Sequence, residues 1–210
     1  ADRTVRLLEA YVTLRDPWTV LQAHQLTFGQ FNVPFGYEIE RSSSARELPE
    51  RSRAENVLFP GERDRGAKLV DQWTPQLETV VSILNGTGIN NSDFPIGDPT
   101  RGKDFTARAR WSQGTIHAAV WVYDGLQLTP LTGSDVETDK TRLGFDAQAY
   151  YEAPSLGGGT LRAEWYLGHE VNPDSVRVLT IAPSTANPVR LLRPGADPAH
   201  FATDFSGGYI

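Results

Sequence analysis

Arg142-Leu143-Gly144-Phe145-Asp146-Ala147-Gln148-Ala149-Tyr150-Tyr151-Glu152 alternates in character almost residue by residue. Successive side chains of a strand point to opposite faces, so Leu143, Phe145, Ala147, Ala149 and Tyr151 share one face. Arg142, Asp146, Gln148, Tyr150 and Glu152 share the other. The next strand repeats the pattern, with Leu161, Ala163, Trp165 and Leu167 opposite Arg162, Glu164 and Tyr166. Upstream, Phe105, Ala107, Ala109 and Trp111 oppose Asp104, Thr106, Arg108 and Arg110, and Ile116, Ala118, Val120 and Val122 oppose Thr115, His117, Ala119, Trp121 and Tyr123.

Working back toward the start, Leu8, Ala10, Val12 and Leu14 form an apolar face against Glu9, Tyr11, Thr13 and Arg15. A second strand is expected over about 20–33, where Gly29 and Pro34 mark a bend or an end. A third near 66–73 groups Ala67, Leu69 and Asp71, and a fourth over 79–84 is blurred because Val80 and Val81 are adjacent. A ninth begins near Gly207. Short turns at Asp16-Pro17-Trp18, Thr74-Pro75-Gln76, Ser112-Gln113-Gly114 and 153–159 use residues that reverse a strand easily. Between them lie long polar stretches at about 36–64, 86–102, 124–141 and 168–204. Short turns on one rim and long loops on the other are the pattern of an antiparallel transmembrane β-barrel.

Composition is compatible with this. The mean hydropathy of -0.38 is no obstacle, because only alternate strand residues face lipid. No apolar run approaches the roughly 20 residues of a membrane helix, so spanning falls to strands. The segments match the ~9–11 residues of a tilted transmembrane strand. Trp18, Trp73, Trp111, Tyr123 and Tyr151, near strand ends, suit interfacial girdles. The absence of cysteine rules out a disulfide framework, and a net charge of -6 gives no support to nucleic-acid binding.

With long loops outside, the first strand runs inward and Ala1 falls at the outer rim, whereas a complete bacterial barrel keeps both ends in the periplasm. The start, Ala1-Asp2, has no methionine and no signal-peptide pattern. The expectation is one barrel segment spanning 1–210, incomplete at both ends. Arg108, Arg110, Arg142, Glu152, Arg162 and Glu164 on the lumen face are too many charges to pack dry in an eight-stranded barrel. A wider, wet barrel is expected.

Leu26-Thr27-Phe28-Gly29-Gln30-Phe31-Asn32-Val33-Pro34-Phe35-Gly36-Tyr37-Glu38, followed by Ser42-Ser43-Ser44, Glu50-Arg51, Leu58-Phe59-Pro60-Gly61 and Arg63-Asp64-Arg65-Gly66, resembles the phosphate-selective porins, also called the O and P type porins. Leu84-Asn85-Gly86 and Lys103-Asp104 extend the likeness, which is absent from the last loop. The resemblance implies a 16-stranded trimeric outer-membrane channel in which one long loop, here 36–64, folds inward as the constriction. It also implies that Arg51 presents a guanidinium to a small anion. Arg108 and Arg110 match a basic track by face only, and Arg142 and Arg162 join them as candidate ion contacts on the lumen side.

The residues themselves are cooler toward phosphate. A guanidinium fork suits phosphate or carboxylate, yet between Glu38 and Arg65 seven acids nearly cancel six arginines. These can equally be loop charges pairing with one another. The four histidines, at 24, 117, 169 and 200, are scattered, with no metal-ligand spacing, nucleophile motif or expected cofactor. Asn90-Asn91-Ser92-Asp93 is read as a polar turn before a calcium loop. The chain is therefore expected to be no enzyme, but a porin wall admitting small anionic or polar solutes, with outer-membrane lipid and two further copies as partners. One rival is a porin-like barrel acting as an anchor, with the proline-rich loop 169–204 binding another protein. The other is a soluble β-sandwich binding domain.

Overall fold

In the computed structural model, residues 7–16, 23–39, 63–88, 100–131, 134–154, 157–171 and 202–209 are described. They form nine strands: β1 (Ala10–Arg15), β2 (His24–Asn32), β3 (Arg63–Gln72), β4 (Leu77–Leu84), β5 (Asp104–Gln113), β6 (Ile116–Leu131), β7 (Ser134–Ala153), β8 (Gly157–Val171) and β9 (Ala202–Tyr209). Each pairs antiparallel with the next, giving one all-β sheet in the order β1 to β9. The sheet is not closed among the described residues, with β1 and β9 at its edges. A sandwich needs a second sheet packed face to face, and the described strands make one.

Register turns the alternation of single strands into two continuous faces. Leu14, Leu26, Leu69, Val81, Ala107, Val122, Leu143 and Leu167 lie in successive cross-strand partnership along one row. A neighbouring row carries Ala109, Val120, Phe145 and Trp165. This apolar face is exposed: Phe145 is 52% and Leu161 60% accessible. The opposite face is buried and polar. It carries Thr27, Ser82, Thr106, Arg108, Asp146, Gln148 and Glu164 among its buried residues. A water-soluble sheet buries its apolar side, so this arrangement is inverted.

The adjacent valines that blur β4 now separate. Val80 lies on the polar side at 1% exposure, while Val81 faces out. Trp73, Trp111 and Tyr151 are exposed at strand ends, but Tyr123, expected in a girdle, is buried on the other side. Its register with Thr106 and Arg142 puts it there.

The polar face is concave. After Asn32 the chain turns across it, and the Tyr37 backbone N–H donates to Glu164 Oε1 on β8 at 3.0 Å. Five residues of chain reach at most about 17 Å, whereas six strand spacings would hold β2 and β8 roughly 28 Å apart in a flat sheet. Curvature closes that gap. Phe35 sits at the centre, 5.6 Å from the Trp121 ring, 6.3 Å from Tyr123 and stacked 6.1 Å from Tyr166. Phe31, Val33 and Ile39 complete this apolar knot with Leu84 and Ala119.

Three expectations are corrected in detail. The loop expected over 124–141 is a hairpin, whose ladder continues to Leu131↔Ser134. An antiparallel ladder satisfies its own backbone groups whatever the side-chain polarity, so loss of the apolar period did not end the strands. Beyond Asp124 on the β5 side and Thr141 on the β8 side, this hairpin pairs only with itself among the described residues. β2 starts at His24 and not near 20, and β9 already starts at Ala202. Tight reversal is clearest between β5 and β6, where Gly114 (φ +59°) supplies a left-handed residue beside the Gln113↔Ile116 pair.

Candidate functional site on the concave face

Two charged clusters lie on the concave face. The first is a mid-wall row set by the register Glu78↔Arg110↔Ala119↔Asp146↔Glu164. Glu78 Oε1 accepts from Arg108 Nη2 at 3.0 Å and lies 3.5 Å from Arg110 Nη1. Arg162, one row on, stacks its guanidinium 3.8 Å from the centre of the Tyr37 ring. Two expected site residues thus share one carboxylate, and a third is held against the inward-turning segment.

The second cluster lies toward the end of the wall from which the β6–β7 hairpin projects. Asp104, fully buried on β5, accepts from the Tyr123 hydroxyl, from Lys140 Nζ at 2.9 Å and from the Leu126 backbone N–H at 3.0 Å. Glycine makes room for it: a Cβ at Gly86 would lie 2.5 Å from Asp104 Oδ1, and one at Gly125 2.1 Å from its Cγ. Lys140 also donates to the Gly86 carbonyl at 3.3 Å. Asp64 accepts from the backbone N–H groups of Arg65 at 2.7 Å and Gly86 at 2.6 Å. Arg142 forks onto Glu170 Oε2 from Nε at 3.1 Å and Nη2 at 2.5 Å, with its guanidinium 5.3 Å from the Tyr123 ring centre.

The structure therefore brings Arg108, Arg110 and Arg162 onto one stretch of wall, and sets Arg142 apart in the second cluster. Arg51 lies outside the described residues. So do residues 40–62 of the expected constriction loop, although its first residues, 36–39, lie on the concave face against β8. Residues 172–201 of the long last loop are likewise outside the description.

Sequence reading missed Glu78, Asp146, Lys140 and Glu170 as partners of this wall. Glu78 was within reach: the Thr74 turn and the period of two on β5 set it opposite Arg110. Asp146 was placed on the polar face without being singled out. Glu170 was not, since it sits where 168–204 reads as loop. Among the described residues, no group of three His, Cys, Asp or Glu side chains could hold a metal ion.

What the wall can do follows from the pairing. A guanidinium closed on a carboxylate organises strands and screens its own field. It attracts a distant anion less than a lone arginine would. No family model, curated protein or solved structure matches the chain.

Proposed function

We propose that this chain forms part of the wall of an outer-membrane β-barrel through which small polar solutes diffuse passively. One observation carries this: the sheet exposes its apolar face and buries its charged, concave face. Lipid against the convex side would cover the exposed Leu, Val, Phe and Trp residues, and water in the lumen would solvate the charged side. Closing the barrel takes strands beyond the open edges at β1 and β9. A homotrimer belongs to the same proposal, and the native mass of the full-length protein in detergent would test it.

Anion preference is a narrower matter. It would come from Arg51 and from arginines still able to attract a passing ion, yet Arg108, Arg110 and Arg142 are engaged with Glu78 and Glu170. Polar solutes in general are the broader and better supported class. Planar-bilayer conductance of the full-length protein is the test. Ohmic unit steps are expected, and insertion without conductance would refute a channel.

A second proposal has its own observation. The middle of the concave face is filled by Phe35, packed on Trp121 and Tyr166. A barrel filled in this way could serve as an anchor for a surface assembly. Insertion without conductance, together with a stoichiometric partner lost on deletion of 169–204, would favour it.

A further inference from the structure

We propose that the convex face, at its loop-side end near β3 and β5, binds the phosphate of an anionic lipid through Arg65, with Asn85 and Lys103 beside it. This rests on the membrane reading proposed above and holds whether the barrel conducts or serves as an anchor.

Four residues follow one another in a row across the sheet. Gln30 pairs in register with Arg65, the Asn85 backbone N–H donates to the Arg65 carbonyl at 2.9 Å, and Lys103 Nζ donates to Asn85 Oδ1 at 3.1 Å. Arg65 alternates with Ala67 and Leu69 along β3, so this row belongs to the apolar face, and Arg65 is exposed there. Its guanidinium is aimed. Gln30 Nε2 donates to the Leu7 and Leu8 carbonyls at 2.9 and 2.8 Å, which fixes the amide, and the amide Oε1 accepts from Arg65 Nε at 3.3 Å. Among the described residues, the two Nη nitrogens of Arg65 donate to nothing. No described acid of this face pairs with them. Arg63 is closed on Glu9 at 3.1 Å, Asp64 is buried and accepts from backbone N–H groups, and Asp124 and Asp139 lie beyond Lys103, on β6 and β7.

Phosphate suits this end of the wall. A guanidinium offers a planar fork that closes on two phosphate oxygens, and Lys103 adds a second cation two strand spacings away, roughly 10 Å at the backbone. The next row toward the middle of the sheet carries Phe28, Ala67, Ile83 and Phe105, of which Phe28 is 47% and Ile83 53% exposed. A lipid uses both rows at once, with its headgroup phosphate on Arg65 where the face turns polar and its acyl chains over Phe28 and Ile83. A free phosphate ion gains nothing from the apolar row, so lipid is the favoured source.

The full-length protein in detergent, titrated with diphosphoryl lipid A and read by native mass spectrometry, tests this. The wild type should bind the phosphorylated lipid more tightly than the same lipid stripped of its phosphates. Arg65→Gln should weaken that binding roughly tenfold, the loss of one hydrogen-bonded charge contact. Lys103→Gln, at an exposed position outside the strand ladders, should weaken it less, and it carries the test where Arg65→Gln fails to fold. Unchanged affinity in the variants, or equal binding of the dephosphorylated lipid, overturns the inference. Displacement of the lipid by inorganic phosphate would assign the site to a free anion and overturn it too. A wild-type protein that fails to insert into lipid vesicles overturns the membrane reading along with it, whereas insertion without phosphate-dependent binding overturns the inference alone.

Discussion

The cluster around Asp104 and the row around Asp146 lie on the same concave face and draw on the same residue types, but they are built differently. Asp104 is enclosed by a hydroxyl, an ammonium and a backbone N–H, and two glycines are shaped around it. Asp146 has arginines within electrostatic reach and, among the described residues, no donor. Enclosure of the first kind ties the β3–β4, β5–β6 and β6–β7 hairpins together. A carboxylate left undonated contributes nothing comparable to cohesion. Charges on the concave face therefore divide into those that hold strands together and those that do not.

The largest expected effect breaks this contrast at its strong end. Asp104→Ala leaves Lys140 buried without its carboxylate and orphans the Tyr123 hydroxyl and the Leu126 N–H, which should cost about 3–5 kcal/mol. Asp146→Asn should be neutral or mildly stabilising. Urea unfolding of the full-length protein in lipid vesicles would read both, and equal losses would erase the distinction between the clusters.

The next effect compares the two faces. Leu161→Arg puts a charge on the exposed apolar side and should cost about 2–4 kcal/mol in a bilayer. Thr160→Arg, one residue away on the polar side, should change stability by less than about 0.5 kcal/mol. Matching costs at both positions would mean that both faces meet the same solvent.

A smaller effect sharpens the account of the apolar knot. The Trp121 indole lies against Gly144, where a Cβ would sit 2.2 Å from Nε1. Gly144→Ala should therefore displace Trp121 and cost about 1–3 kcal/mol, with a shift in tryptophan fluorescence. An unshifted spectrum would mean that the indole does not depend on that glycine.

These contrasts also mark what could be read before the fold was known. β5, β7 and β8 were legible because side-chain polarity follows a period of two closely, and hydrophobicity alone reports that period. Val80 and Val81 hid β4, since two valines in succession carry no phase. The far half of the β6–β7 hairpin was hidden for a related reason: past Asp124 the ladder is held by backbone pairing, and the apolar signal fades. Tertiary contacts were beyond reach. Nothing local tells Phe35 that its partners are Trp121 and Tyr166, or Arg142 that it will find Glu170. At the candidate site, face assignment placed Arg108, Arg110 and Arg162 correctly on the polar side. It could not say that two of them share Glu78, because that depends on register between strands.

The central claim is that the convex face meets lipid while the concave face meets water. Single cysteines at successive positions from 143 to 149 on β7, spin-labelled in the full-length protein in vesicles, test it directly. Collision with apolar oxygen should peak at 143, 145, 147 and 149, and collision with a water-soluble nickel complex at 144, 146 and 148. Labels on both faces that respond alike, with no period of two, would contradict the account.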